Sequence, residues 1–244
     1  MLMGDDVKVI LVCRMGSSRL PGKTLLPFGK GTLLSHIVNR IESGGFDRKD
    51  ICITTSNNTE DRPVIREAKS LGCKYYAGHA TLVSRRILDA AKGNERFILV
   101  LGDNPWIAPE ELRKVVTISE SGVLYDYVVT ATPELPKNKW PDFAYPTGTR
   151  IQLIKTAMLM HRLKETSNPE DEEHTSLLFS RSMNVLKVKV VEPSSGWNVS
   201  DIEDLNISIN IKDDYDVAVE ILNNVGPDAP TSEVVNAYKK HKEG

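Results

Sequence analysis

Apolar and polar positions alternate along this chain in two rhythms that trade places. Residues 7–13 (VKVILVC) are apolar almost without interruption, as in a strand covered on both faces. From residue 32 to 43 the spacing lengthens. Leu33, Leu34, Ile37, Val38 and Ile41 recur at three and four residues, predicting a helix that Gly44 and Gly45 end. The sequence predicts further strands over 50–55, 73–77, 97–101 and 127–132, and helices over 63–71, 82–92 and 109–117. Strands alternating with helices in this way predict an α/β fold, a mainly parallel sheet with helices on both faces.

Beyond residue 132 the rhythm breaks. Residues 133–148 are rich in proline and aromatics, 150–154 (RIQLI) alternate like a half-buried antiparallel strand, 155–165 read as a helix, and 167–173 as an acidic loop. A strand is predicted over 184–191. Residues 145–200 are therefore expected to form a mixed, antiparallel excursion from the main sheet, as a lid or a dimer arm, within one domain spanning 1–244. Residues 205–211 (LNISINI) alternate as a last strand would, and helices are predicted over 215–223 and 232–242.

In a parallel sheet, ligands bind beyond the carboxyl ends of the strands. That rule gathers three loops: residues 14–23, 56–61 and 102–105. The first is the most unusual. Arg14, Arg19 and Lys23 are interleaved with Gly16, Gly22, Ser17, Ser18 and Pro21 directly after the first strand. Glycines let backbone N–H groups approach phosphate oxygens, while arginine and lysine supply charge and directed donors.

Bulk composition makes any such anion site a local one. The 244 residues carry a net charge of -2, so the surface as a whole does not attract nucleic acid or an anionic membrane. Cys13, Cys52 and Cys73 lie in or beside apolar segments with no metal-ligand spacing and read as reduced thiols. With no apolar leader before residue 7 and no run near the ~18 apolar residues of a membrane span, a cytoplasmic protein is expected.

Gly22-Lys23-Thr24 invites comparison with the P-loop, G-x-x-x-x-G-K-[ST]. That pattern needs glycine where Ser17 stands. Pro21 also removes an N–H from the cradle, and Pro27 interrupts the helix a P-loop opens. No G-x-G-x-x-G follows the first strand either, which excludes the dinucleotide fingerprint.

The run from Leu11 to Gly29, LVCRMGSSRLPGKTLLPFG, resembles instead the opening signature of the cytidylyltransferase-like nucleotidyltransferases, above all the spore-coat polysaccharide biosynthesis protein F family. Acylneuraminate and keto-deoxyoctonate cytidylyltransferases are more distantly similar. Residues 55–61 (TSNNTED), Gly102-Asp103-Asn104-Pro105, Tyr145-Pro146-x-Gly148 and Glu173-His174-Thr175 match further landmarks in order. The resemblance implies a GT-A-like nucleotidyltransferase fold that moves CMP from CTP to a sugar or sugar acid and releases pyrophosphate, with Mg²⁺ as cofactor, in a homodimer. It implies nucleotide binding by Arg14, Met15, Gly16, Ser17, Ser56, Arg85 and Gly102. Arg19 and Lys23 would act on the departing pyrophosphate, and Asp103 would ligate the metal.

Several family positions differ. Where the family reads Y-P-D-G-x-D-V-E, this chain has Thr147, Arg150 and Gln152 in the acidic places, and Asn210 replaces a second metal-binding aspartate. Arg150 and His174 are assigned to the acceptor side, and Asn210 to the metal. A neutral amide is a weaker ligand for a hard cation than a carboxylate. Two alternatives follow: a nucleotide-binding subunit impaired in transfer, or a GT-A glycosyltransferase using a nucleotide sugar. Against the latter, Gly102-Asp103-Asn104 supplies no D-x-D pair.

Overall fold

In the computed structural model, residues 7–193 and 196–243 are described. The expectation about residues 1–6 lies outside them. The chain begins with β1 (Val7–Val12), whose pleat sends Val9 and Leu11 into one apolar cluster and Ile10 into another on the opposite face. That double burial is why the run carries almost no polar residue. After the basic loop, a two-residue hairpin of β2 (Pro27–Phe28) and β3 (Gly31–Thr32) turns into α1 (Leu33–Ser43). Thr32 caps that helix, its hydroxyl accepting from the Ser35 N–H while the Ser35 hydroxyl accepts from Thr32 N–H.

The βα rhythm continues through β4 (Ile51–Ser56), α2 (Arg62–Ser70), β5 (Lys74–Gly78), α3 (Val83–Ala90), β6 (Arg96–Leu101), α4 (Pro109–Glu120) and β7 (Tyr127–Thr130). Then follow β8 (Phe143–Ala144), β9 (Gln152–Lys155), α5 (Thr156–Glu165), α6 (Pro169–Glu173), α7 (Thr175–Arg181), β10 (Val188–Val191), β11 (Trp197–Asn198), α8 (Lys212–Val225) and α9 (Thr231–Glu243).

Among the described residues the main sheet has seven strands in the order β10-β7-β9-β6-β1-β4-β5. Only β9 runs against the rest, antiparallel to both β6 and β7, while the other pairings are parallel. The two faces carry separate cores. Residues of α1, α2, α4, α8 and α9 belong to the Val9–Leu11 cluster, and those of α3, α5 and α7 to the Ile10–Phe97–Leu99 cluster.

Three expectations change. Residues 145–200 do not simply leave the main sheet: β9 is inserted in its middle and β10 forms its edge, while α5 to α7 stand on one face. Local alternation identified the strand but held no information about its neighbours. Residues 167–173 contain helix α6, started by Pro169 and by the Asn168 side chain, which accepts from Glu170 N–H. Residues 205–211 are not a strand. They run irregularly across the carboxyl end of the sheet, with one parallel bridge between Thr147 and Asn206. Their apolar positions are buried all the same: Leu205, Ile207 and Ile209 enter the first core, which accounts for the alternating pattern.

Candidate active site

A cavity of about 410 Å³ opens at the carboxyl end of β1 and β6, on the face covered by α3 and α7. Its apolar floor is formed by Val12, Leu99, Leu101, Val83 and Ile87, and its rim by the basic loop and the α6–α7 junction. Arg14, Ser17, Arg19, Lys23, Gly102, Asp103 and His174 all line it, as the order of the sheet requires once β1 and β6 are neighbours.

The basic loop is held from behind. Gly22, at φ 73°, turns the chain so that its N–H donates to Met15 carbonyl at 2.8 Å, and the Thr24 hydroxyl donates to Arg14 carbonyl at 3.2 Å. The Met15 N–H donates to Asp61 Oδ1 at 2.6 Å. Asp61 is buried, and its other oxygen accepts from the Ser56 N–H at 3.1 Å and from the Ser56 hydroxyl. One carboxylate therefore couples the loops after β1 and β4. Two residues expected at the nucleotide are engaged here. The Met15 amide is already spent on Asp61, and Ser56 is buried against the same carboxylate rather than lining the cavity.

At the mouth, Lys23 Nζ donates to Asp103 Oδ2 at 3.3 Å and to the Ile209 carbonyl at 2.7 Å. The Ile209 N–H in turn donates to the Asp103 carbonyl at 2.8 Å. These bonds bring Asn210 against the basic loop, where its Oδ1 accepts from Arg19 Nη2 at 3.0 Å. Asp214, in the first turn of α8, accepts from the Asn210 and Ile211 N–H groups at 2.7 and 3.0 Å and so fixes the segment's course. Gly102 is dictated by packing: a Cβ there would lie 2.7 Å from the Val12 carbonyl oxygen and 3.0 Å from Cys13 Cβ. Gly16 is less constrained, since its added Cβ would meet the mobile end of Glu60 at 2.9 Å.

Arg85, expected at the nucleotide, does not line the cavity, whereas its neighbour Arg86 does. Arg85 points away, its Nε donating to Glu172 at 2.8 Å on the exposed side of α3. Arg86 lines the cavity, buried, with Nε donating to Thr54 Oγ1 at 3.1 Å and Nη1 to the His79 carbonyl at 2.8 Å. Burial pushes its pKa down, against the opposing pull of nearby Asp61. The helical period held this signal: Val83, Arg86, Ile87 and Ala90 share one face of α3, and Arg85 falls off it. Burial likewise pushes the Cys13 thiol far up, so this cavity-lining sulfur stays protonated.

Arg150 is not among the cavity's lining residues. It is 5% exposed, with Nε donating to Thr132 Oγ1 at 3.3 Å and lying 3.6 Å from Glu134, and its Nη2 meets no hydrogen-bond partner among the described residues. Gln152 is fully buried, accepting from the Tyr127 hydroxyl at 2.7 Å and donating to Ser176 Oγ at 2.9 Å. His174, at the α6–α7 junction, does face the cavity, beside Glu173, which lies 3.9 Å from Arg14.

Among the described residues no three His, Cys, Asp or Glu side chains gather into a cation cage. Two carboxylates line the site, Asp103 beside Lys23 and Glu173 near Arg14, while the amide oxygen of Asn210, on the segment bonded to Asp103, accepts from Arg19. That donor set fits Mg²⁺, which takes one or two protein ligands and completes its shell from water and phosphate oxygens.

Residues 8–136 match the family model described as Cytidylyltransferase. The chain belongs to the cytidylyltransferase family. Its members are nucleotidyltransferases, and this chain is one. It is 24% identical over 247 residues to the spore coat polysaccharide biosynthesis protein SpsF of Bacillus subtilis (strain 168), covering 97% of this chain and 95% of that one. Among solved structures, a cytidylyltransferase from Leptospira borgpetersenii serovar Hardjo-bovis (strain JB197) superposes with TM-score 0.82 at 20% identity, covering 98% of this chain and 95% of that one. A CMP:2-keto-3-deoxy-manno-octonic acid synthetase complexed with CTP does so at 0.64 and 15% identity, covering 90% and 99%. These likenesses establish the fold of the cytidylyltransferase over nearly the whole chain, including β9 and the segment beyond it.

Proposed function

We propose that this cytidylyltransferase transfers CMP from CTP to a hydroxyl of a sugar or sugar acid used in surface-polysaccharide synthesis. The observation that carries the reading is the convergence of Arg14, Arg19, Lys23 and Asp103 on one cavity at the carboxyl end of β1 and β6. The acceptor oxygen bonds to the α-phosphorus, the bond from that phosphorus to the bridging oxygen breaks, the hydroxyl proton passes to solvent water, and pyrophosphate leaves. Arg19 and Lys23 offset the charge that grows on the leaving group, where fixed cations in a partly dry cleft are most effective. Arg14, Ser17 and Arg86 hold the nucleotide from the other side. Asp103 would hold Mg²⁺, which when bound neutralises phosphate charge, while the Asn210 amide oxygen, assigned to the metal from sequence, is engaged by Arg19. His174 faces the space left for the acceptor.

A homodimer in the cytoplasm belongs to the same reading; exposed Met160 (44%) and Val185 (64%), within residues 145–200, support that interface. The test of the activity is pyrophosphate release from CTP, and from the other nucleoside triphosphates, against a panel of sugar acids and sugar phosphates. Turnover is expected with CTP. Nucleotide binding with no turnover on any acceptor would favour the impaired subunit, for which the replacement of acidic residues by Gln152 and Asn210 speaks.

A further inference from the structure

Beside the triphosphate end of the cavity lies a chain of hydrogen bonds whose direction is fixed at both ends. The Ser208 N–H, which can only donate, reaches Asn206 at 2.9 Å, so the Asn206 atom there is Oδ1. The Ser208 hydroxyl lies 2.6 Å from the same oxygen and must donate to it. Its lone pair is therefore left to accept, and Asn210 meets it with Nδ2 at 2.7 Å. The amide's other end, Oδ1, then faces Arg19, whose guanidinium has donors and no acceptor. Asn206 is anchored to the sheet end in turn, by its bridge to Thr147 and by the Ile207 N–H donating to the Thr147 carbonyl at 2.9 Å.

An aspartate at position 210 would need no such arrangement, because both of its outer atoms are acceptors. An asparagine does. Turned by half a rotation, its NH₂ would face the Arg19 NH₂, donor against donor. We propose that Ser208, held by Asn206, is a positioning residue of the nucleotide site: it orients the Asn210 amide so that the oxygen holds Arg19 toward the triphosphate. Ser208 is 8% exposed and does not line the cavity, so it acts through Asn210 and Arg19 and not by contact with the ligand.

The inference rests on the reading that Arg19 binds the triphosphate, and the experiment separates the two. CTP affinity is measured calorimetrically with Mg²⁺ for the intact chain and for R19A, S208A, S208T, R19A/S208A, N210D and N210D/S208A, each checked for its thermal midpoint. R19A is expected to weaken CTP binding. S208A is expected to weaken it by about fivefold, the equivalent of one hydrogen bond, and S208T, which keeps the hydroxyl, to bind like the parent. The deciding comparison is between backgrounds: S208A is expected to cost nothing further in R19A or in N210D, where there is no guanidinium to hold or no amide to orient. If R19A weakens binding and S208A does not, or if S208A costs the same in all backgrounds, the positioning role is overturned while the triphosphate site stands. If R19A leaves CTP binding unchanged, the reading of Arg19 falls, and the inference with it.

Discussion

At the scale of single residues, three side chains make separable predictions. His36, on α1, is packed edge-on between Phe28 and Trp106, with Nε2 3.1 Å from the Pro105 carbonyl. Burial, reinforced by Arg40, pushes its pKa from 6.5 down to about 4. The unfolded chain therefore binds a proton between those values that the folded chain refuses. Stability is fully present above pH 6.5 and is lost as pH falls toward 4, by about 3 kcal/mol from this residue. Denaturation midpoints followed across that range should show the slope, and His36→Phe should flatten it. At Gly102, alanine must push its methyl against the Val12 backbone, so Gly102→Ala should cost about 1–3 kcal/mol in chemical unfolding. The arginine pair on α3 gives an in-built control. Arg86→Lys, losing its directed bonds to Thr54 and His79, should weaken CTP binding by roughly tenfold or more. Arg85→Lys, on an exposed ion pair with Glu172, should leave it within a factor of two.

At the scale of elements, the question is what holds helices to the sheet at the site. Arg40, buried on α1, donates to the Ile107 carbonyl at 2.9 Å, to the Pro227 and Ala229 carbonyls at 3.2 and 3.0 Å, and to Thr231 Oγ1 at 3.1 Å. Its guanidinium also lies 5.8 Å from the Trp106 ring, whose N–H donates to the Tyr238 hydroxyl at 3.1 Å. One side chain thus joins α1, the loop after β6 and the start of α9. Arg40→Met should leave those carbonyls unpaired inside the protein and cost about 3 kcal/mol in an unfolding titration. Local opening of α9 before the rest of the chain, read by hydrogen exchange, should accompany it. Asp61 plays the corresponding part between the loops after β1 and β4, through the Met15 and Ser56 N–H groups.

At the scale of the whole molecule, the site is assembled from segments far apart in sequence. The loop after β1, the end of β6, α3, the α6–α7 junction and residues 209–210 meet only when the sheet has closed. A ligand that bridges them binds the folded state alone. CTP with Mg²⁺ at about a hundred times its dissociation constant should therefore raise global stability by about 2.7 kcal/mol. A thermal scan with and without nucleotide checks this, and an unchanged midpoint would count against the proposed nucleotide site.

The sequence by itself determined the α/β alternation, because burial on both faces leaves a near-continuous apolar run in β1 and β6, and one-face burial leaves the three-and-four spacing of α1. It also marked Arg14 to Lys23 and Asp103, since glycines, cations and a carboxylate at strand ends are local features. Only the tertiary structure decided what depends on neighbours. The pairing of β9 between β6 and β7 and the burial of residues 205–211 without strand pairing both follow from packing. So does the engagement of Met15 and Ser56 by Asp61, because a hydrogen bond across 46 residues leaves no trace in local periodicity.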